Sequence, residues 1–304
     1  METSTEPQQS IRSSHRAVSA RRLGALVRNT FTELTRLKVF YVLLFFALVL
    51  IGSSLFVARL SFQQEFQVLK DVSLGAMTMF TSMLAIFATA RLLPDDLEHR
   101  TVYTILAKPV PRFEYVIGKL GGVLLLLALS IAAMSALFCA VLYMREQSVI
   151  AETTRQMAQL PPAQLRDAVA AIRASTFHPN LFAGIVAIYL KGCVLAALTL
   201  LISTFATSNV FTIVMAVFVY LIGHLQAIAR EFWLQEQGGT WLSRSFLALV
   251  AMLFPDLQQL DFSDEIVAGA AVPLAIFSKT VLLACGYILF YLVAAIAIFA
   301  GKEL

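Results

Sequence analysis

Long apolar runs separated by short polar stretches dominate the chain from residue 39 onward. A membrane-spanning helix needs about 20 mainly apolar residues. Six runs reach that length, at residues 39–58, 72–93, 120–143, 184–206, 210–229 and 274–300. A further run, 246–254, is too short to span a bilayer and indicates a re-entrant or interfacial helix. The pattern predicts an all-α membrane protein with six transmembrane helices.

The N-terminal region divides into a polar part and an amphipathic part. Residues 1–19 are polar, and we predict that they are disordered. From 21 to 38, an apolar stripe at helical spacing faces a basic surface. The basic residues are Arg21, Arg22, Arg28, Arg36 and Lys38. Such a helix typically lies in the interface of an anionic leaflet, and it lacks the aromatic platform expected of a nucleic-acid site.

Residues 93–119 form a charged stretch between the second and third apolar runs. Asp95 is a candidate N-cap, and Glu98 three residues later completes a capping box. Asp96 and Arg100 have the i,i+4 spacing of a pair on an exposed helix face. The Lys-Pro-Val-Pro sequence at 108–111 must end this helix, because proline cannot donate a hydrogen bond and restricts the residue before it.

A second helix is predicted to begin near Arg112. The stretch then consists of two short helices with a rigid kink, held at the membrane surface. A peripheral protein could exert force on such an element.

The basic residues predict how the chain is oriented. Lysine and arginine are concentrated before the first run, in 93–119 and at the C-terminus, so this side is expected to be cytoplasmic. Both termini then face the cytosol. The other loop on this side, 207–209, is very short, which leaves 93–119 as the cytoplasmic surface for a soluble partner. Loops 144–180 and 230–273 lie on the opposite side.

The outer loop 144–180 is predicted to form two helical pieces separated by Pro161 and Pro162. Leu165, Val169 and Ile172 give the second piece an apolar stripe. Three interpretations stay open: a cap over an outer vestibule, a binding surface for a periplasmic protein, or a solvated loop packed on its own bundle.

Composition and motifs argue against catalysis by this chain. Of 304 residues, 59% are hydrophobic and 14% charged, whereas soluble domains have roughly 45–50% and about 25%. Gly118-Lys119 is followed by Leu120 and lacks the upstream glycine of a phosphate-binding loop. The four histidines are far apart, and no nucleophile elbow is present. We therefore expect no catalytic residues, no metal site and no cofactor bound by this chain.

Three ionisable residues lie within the predicted spans. Lys191 and Lys279 are expected to extend their ammonium groups toward the outer interface, and His224 to be a satisfied interfacial histidine.

The charged stretch resembles a known family. Glu98, Arg100 and Thr101 are followed by Lys108-Pro109-Val110, Arg112, Glu114 and then Gly118-Lys119 at the start of a membrane helix. This pattern resembles the first cytoplasmic loop of ABC-2 type transporter permeases. It is most similar to the multi-copper enzyme maturation branch, which includes the nitrous-oxide reductase maturation permease. The resemblance covers most of the chain, except the polar N-terminus and the loop after Tyr143.

The resemblance implies a permease subunit of an ATP-binding cassette exporter in the bacterial inner membrane. It implies a homodimer or heterodimer and separate cytoplasmic ATPase subunits that bind ATP and Mg²⁺. The helix 95–107 would be the coupling helix, and short helices would enter the outer leaflet before the last span. The expected ATPase-coupling residues are Asp95, Asp96, Leu97, Glu98, Arg100, Thr101, Tyr103, Ile105, Leu106, Lys108, Pro109 and Arg112.

Two other function classes stay open. A membrane scaffold without transport would hold a periplasmic partner through 144–180. An ion-driven secondary transporter would require inverted repeats and charged residues at the midplane. The mainly aliphatic and aromatic spans favour an apolar or amphipathic cargo over a bare ion.

Overall fold

The computed structural model describes residues 19–60, 65–98, 111–157, 161–178, 180–206, 208–235 and 254–301. Within these ranges, the side chains of 57–60, 97–98 and 227–235 are not described. Residues 1–18 of the segment predicted to be disordered lie outside the described residues. So do residues 246–253 of the short apolar run 246–254.

Helices account for nearly all of the described chain. In order they are α1 (Ala20–Thr35), α2 (Lys38–Leu60), α3 (Glu65–Ala90), α4 (Leu92–Glu98), α5 (Arg112–Gln156), α6 (Pro162–Thr176), α7 (Asn180–Phe205), α8 (Asn209–Gln235), α9 (Ser263–Val267) and α10 (Leu274–Gly301). Six of the described helices, α2, α3, α5, α7, α8 and α10, are long and apolar enough to cross a membrane. The predicted all-α fold with six spans is confirmed.

The bundle has two ends, which we call side one and side two. Side one carries α1, α4, the start of α5, the α7–α8 link and the end of α10. Side two carries α6, the end of α5 and the segment 254–273. Contacts within each end support this division: Arg112 donates to the Ala300 carbonyl at 2.8 Å on side one, and Lys70 donates to the Ser175 carbonyl at 2.7 Å on side two.

Helices α3 and α7 form the centre of the bundle. In each, 72% of the most apolar window is buried, compared with 17% in α10. Small residues allow this close approach, since a Cβ on Gly192 of α7 would lie 2.6 Å from the Thr81 methyl group of α3. The outer helices α2, α8 and α10 instead present exposed side chains such as Phe45, Phe218 and Leu282. Burial of such surfaces requires lipid or another protein chain.

Helix α1 packs directly on the first turns of α5. Glycines make room for it: a Cβ on Gly118 would lie 2.6 Å from the Leu26 Cβ atom, and one on Gly122 would lie 2.5 Å from the Thr30 Cβ atom. Leu34 of α1 is 1% exposed. The apolar stripe of the amphipathic helix is thus buried at least partly against protein.

Two sequence-based expectations about helix boundaries differ from the structure. Helix α4 begins at Leu92, and the Asp95 N–H donates to the Arg91 carbonyl, so Asp95 lies inside the first turn and is not an N-cap. The helix predicted to begin near Arg112 continues through the third span to Gln156 as one unbroken helix. No proline interrupts it, and the glycines at 118, 121 and 122 are tolerated because α1 packs on them.

Candidate functional site

A buried lysine joins three helices at side one. Lys119 lies about 10 Å along α5 from Arg112, at about 1.5 Å per residue, and is 3% exposed. Its ammonium nitrogen lies 2.6 Å from Oδ2 of Asp96 in α4 and 3.2 Å from Oε2 of Glu33 in α1. Two carboxylates therefore balance one buried ammonium, which is the condition under which such a charge is tolerated.

Asp96 also joins the last span. The Tyr115 hydroxyl donates to the same Asp96 Oδ2 atom that contacts Lys119. The Tyr115 ring stacks on Phe299 of α10, with 5.7 Å between ring centroids. Next to it, Arg112 donates to the Ala300 carbonyl. Helix α4 is in this way connected to both α5 and α10.

Asp95 connects α4 to the fifth span. The Asn209 side-chain amide, at the start of α8, donates to Oδ1 of Asp95. Arg91 donates from Nε to Oδ2 at 3.3 Å. We call the set Glu33, Asp95, Asp96, Tyr115, Lys119 and Asn209 the side-one network.

Glu114 provides a separate attachment for α1. Its side chain is fully buried, and Oε1 accepts from Arg22 at 3.1 Å and from the Ser19 backbone N–H at 3.2 Å. Glu114 lies in the first turn of α5, where the helix dipole favours a negative charge. Arg22, predicted as one of five membrane-surface cations, therefore also makes an ion pair within the protein.

The structure describes only part of the predicted coupling surface. Asp95 and Asp96 lie next to each other in α4, Arg112 is the first residue of α5, and Leu97 and Glu98 are described as helical backbone only. Arg100, Thr101, Tyr103, Ile105, Leu106, Lys108 and Pro109 lie outside the described residues. Asp96 is 9% exposed, so its predicted position on an exposed helix face is wrong.

Four members of the side-one network were not among the predicted coupling residues. Glu33 is the one acidic residue of α1, and its presence among basic neighbours was a signal in the sequence. Lys119 stands in the quoted motif, and its place directly before the apolar run 120–143 could have indicated a buried partner. Tyr115 and Asn209 carry no comparable signal, because their partners are distant in the sequence.

A second buried lysine lies near the middle of α7. Lys191 is 1% exposed, so the expectation that its ammonium extends toward the outer interface is wrong. Its nitrogen lies 2.8 Å from Oδ2 of Asp261 and 3.4 Å from Nε2 of His224. His224 Nδ1 lies 3.2 Å from the Tyr220 carbonyl. We assign the tautomer with the proton on Nδ1, because Nε2 then accepts from the ammonium. Lys279 is exposed.

Asp261 belongs to the segment 254–267, which packs between spans at side two. The Leu257 N–H donates to the Gly223 carbonyl of α8 at 3.2 Å, and Leu257 and Leu260 are fully or almost fully buried. Ser263 donates to Asp261 Oδ1 from its backbone at 3.1 Å and from its hydroxyl at 2.6 Å. Burial alone would raise the pKa of Asp261, but the Lys191 ammonium and the Ser263 donors outweigh it and lower the pKa below its usual value.

The set Lys191, His224 and Asp261 is called the side-two cluster. It links two spans to a non-spanning segment, and the short helix α9 follows directly. A Cβ on Gly184 of α7 would overlap the Ile266 Cδ1 atom of α9. Among the residues described, no group of three His, Cys, Asp or Glu is placed to hold a metal ion.

Comparison with known proteins agrees with this architecture. The family model described as "ABC-2 family transporter protein" matches residues 4–304, nearly the whole chain. No curated protein matches the chain. With six apolar helices of spanning length and a family match over almost its full length, this chain belongs to the ABC-2 transporter family and is a membrane-embedded permease subunit.

Proposed function

We propose that this chain is the permease of an ATP-driven exporter and that α4 receives the motion of a separate cytoplasmic ATPase. The observation that carries this proposal is the Asp96–Lys119 pair at 2.6 Å, which ties α4 to the third span in a buried position. Side one is then cytoplasmic, as the distribution of lysine and arginine in the sequence favours. ATP and Mg²⁺ bind the partner ATPase and not this chain.

The side-one network is suited to carry motion because α4 has polar partners on several helices. A displacement of α4 either carries Lys119 and Asn209 with it or separates a buried ion pair. Separating such a pair costs free energy, because it leaves a buried charge without its partner. Movement of α4 together with α5 and α8 therefore has the lower free-energy cost. Coupling of this kind requires an element with two arrangements, and we assign that role to α4 and the link that follows it.

We further propose that two permease copies form the translocation path in the bacterial inner membrane. The exposed apolar faces of α2, α8 and α10 supply surface for a second copy as well as for lipid. The 98–119 motif resembles the multi-copper enzyme maturation branch, and we assign the chain to that branch on this resemblance. A periplasmic partner would contact α6 and the end of α5.

Two substitutions separate docking of the ATPase from transmission. Arg100→Glu reverses the charge of a residue predicted to contact the ATPase and is expected to reduce co-purification of the ATPase subunit. Asp96→Asn changes a buried group and is expected to leave co-purification intact while lowering cargo-stimulated ATP hydrolysis by about tenfold, the equivalent of about 1.4 kcal/mol of coupling. The measurement is ATPase activity of the reconstituted complex.

The outcomes discriminate among function classes. Full stimulation in both variants contradicts the assignment of α4. Failure to recover any ATPase with the unaltered protein would favour a scaffold that does not transport.

Membrane orientation is tested independently by cysteine labelling of intact cells. A cysteine at Thr101 should be protected from an impermeant maleimide, and one at Ala163 of α6 should react. The reverse pattern contradicts a cytoplasmic side one.

A further inference from the structure

An apolar cavity of about 310 Å³ opens at side one. Helices α1, α2, α3, α5 and α8 all contribute to its walls. Its apolar lining includes Leu37, Phe40, Leu84, Phe87, Leu126 and Ile213. Arg91 and Asn209 are the two polar residues that line it. The volume lies at the lower end of the range for small-molecule sites, which are mostly apolar with a few polar groups.

Basic residues line this cavity or are sequence neighbours of its lining residues. Arg91 has 43% of its side chain exposed. Arg36 and Lys38 flank the lining residue Leu37, both are exposed, and neither has an ion pair within the described part of the chain. Asp95 is the acidic partner of Arg91, and Glu33, which precedes the lining residue Leu34, pairs with Lys119. The charges of Arg36 and Lys38 are therefore not used by these two carboxylates. An anionic group at this position would be attracted, and long basic side chains at a membrane surface favour anionic lipids.

We infer that this cavity binds an amphiphile with a single hydrocarbon chain and an anionic headgroup, the chain in the cavity and the headgroup at Arg91. The apolar walls favour a hydrocarbon chain, because each buried CH₂ group contributes about 0.8 kcal/mol. A small bare anion would leave those walls unfilled. A neutral amphiphile would gain nothing from the three cations. The apolar walls and the three cations together favour an amphiphile with a single hydrocarbon chain and a negative charge.

The headgroup position is linked to the side-one network. Asp95 accepts from Arg91 and from Asn209, the same two residues that supply the polar lining. A headgroup bound to Arg91 competes with Asp95 for that guanidinium and so changes the partners of the carboxylate that also holds α4 to α8 through Asn209. Occupancy of the cavity therefore alters the element that we assign to coupling. This consequence, and the identification of the amphiphile as cargo, rest on the proposed function; binding itself does not.

Photolabelling of the purified full-length protein in the absence of any ATPase tests the binding. The probes are a diazirine-labelled medium-chain alkyl phosphate and the corresponding neutral alcohol, with labelled residues mapped by mass spectrometry. The phosphate is expected to label the cavity walls in α2 and α3 about tenfold more strongly than the alcohol. One charge-assisted contact worth about 1.4 kcal/mol gives a tenfold difference in affinity.

Variants with matched controls locate the site. Ile213→Trp fills the cavity and should remove most of the labelling, whereas Val214→Trp, on the adjacent exposed position, should not. Arg91→Gln should abolish the preference for phosphate, Arg91→Lys should retain it, and Arg28→Gln outside the cavity should have no effect.

Two results would overturn the inference. They are equal labelling by phosphate and alcohol, and equal effects of the two tryptophan variants. Because no ATPase is present, a negative result here leaves the proposed coupling function standing. Loss of coupling in Asp96→Asn, conversely, has no bearing on probe binding.

Discussion

Lys119 and Lys191 are both almost fully buried in apolar helices, yet their surroundings differ. Lys119 lies close to the start of α5 and contacts two carboxylates. One of them, Asp96, is 2.6 Å away and belongs to a different helix, α4. Lys191 lies about 16 Å from Asn180 along α7, at about 1.5 Å per residue, and has one carboxylate, Asp261, on a largely non-helical segment. The side-one network joins helices, whereas the side-two cluster fixes a segment between helices.

This difference indicates different roles for the two lysines. Glu33, one of the two carboxylates at Lys119, is 43% exposed, so water and counterions can compensate when the network rearranges. The charge of Lys191 depends on Asp261 alone, whose side chain is less exposed than that of Glu33, at 27%. Rearrangement is therefore less costly at side one, while the side-two cluster favours a fixed structure at rest.

The largest expected effect comes from Asp261→Asn. It leaves the Lys191 ammonium buried without its carboxylate, and breaking a buried pair in this way costs about 3–5 kcal/mol. Thermal denaturation of the purified protein in detergent should show a markedly lower midpoint. The double variant Lys191→Met/Asp261→Asn removes both charges and should recover most of the loss. If the double variant is as unstable as the single one, the cluster is not held by the ion pair.

A smaller effect is expected where α1 packs on α5, the contact that brings Glu33 to Lys119. Gly122→Ala would place a Cβ 2.5 Å from the Thr30 Cβ atom and 3.1 Å from the Phe31 backbone nitrogen. Such overpacking typically costs about 1–3 kcal/mol. Limited proteolysis should then cleave α1 at Arg28 more rapidly.

Gly24→Ala is the matched control, because a Cβ there would meet no atom within 4 Å. Alanine is the better helix former by about 1 kcal/mol, so cleavage should be unchanged or slower. Equal acceleration in both variants would contradict the packing of α1 on the glycines of α5.

Lys119→Met is expected to reduce stability less than Asp261→Asn does, by about 1–2 kcal/mol. Glu33 is partly exposed and can be hydrated, while Tyr115 continues to donate to Asp96. The free energy of unfolding of this variant should be measured in the same detergent as that of Asp261→Asn. A loss as large as that of Asp261→Asn would show that the two lysines are energetically equivalent.

The smallest expected effect is a pH dependence. The pKa of Asp261 is lowered in the folded state, so its contribution to stability is complete above the unfolded carboxyl pKa of about 3.9 and is lost only as the pH falls through the folded value. Between about pH 8 and about pH 5, the difference in stability between wild type and Asp261→Asn should stay constant. A difference that grows as the pH falls over this range would place the pKa of Asp261 above its usual value.

Much of the fold could be predicted from the sequence, because six long apolar runs leave few alternatives to spanning helices. Helix ends were less predictable. Asp95 carries the local signature of an N-cap, but α4 begins at Leu92, and the Asp95 carboxylate pairs with Asn209, far along the chain. The contact with Asn209, and not the local N-cap signature, therefore accounts for the place of Asp95 in the helix.

The two buried clusters could not be derived from spacing alone. Lys191 and Asp261 are separated by 70 residues, and Lys119 and Glu33 by 86. A lysine inside an apolar run indicates that an anion must lie nearby, but it does not indicate which one. Extension toward the interface was the reasonable expectation for Lys191, and it is wrong because the segment 254–267 brings a carboxylate to the same depth.

The central claim is that the Asp96–Lys119 pair transmits motion from α4 to the spans. A charge exchange tests it most directly, with cargo-stimulated ATP hydrolysis of the reconstituted complex as the measurement. Asp96→Lys and Lys119→Asp should each abolish stimulation, and the double variant that carries both should restore a substantial part of it. Stimulation that survives in either single variant would contradict the claim. So would a double variant that is folded and bound to the ATPase but shows no more stimulation than the single variants.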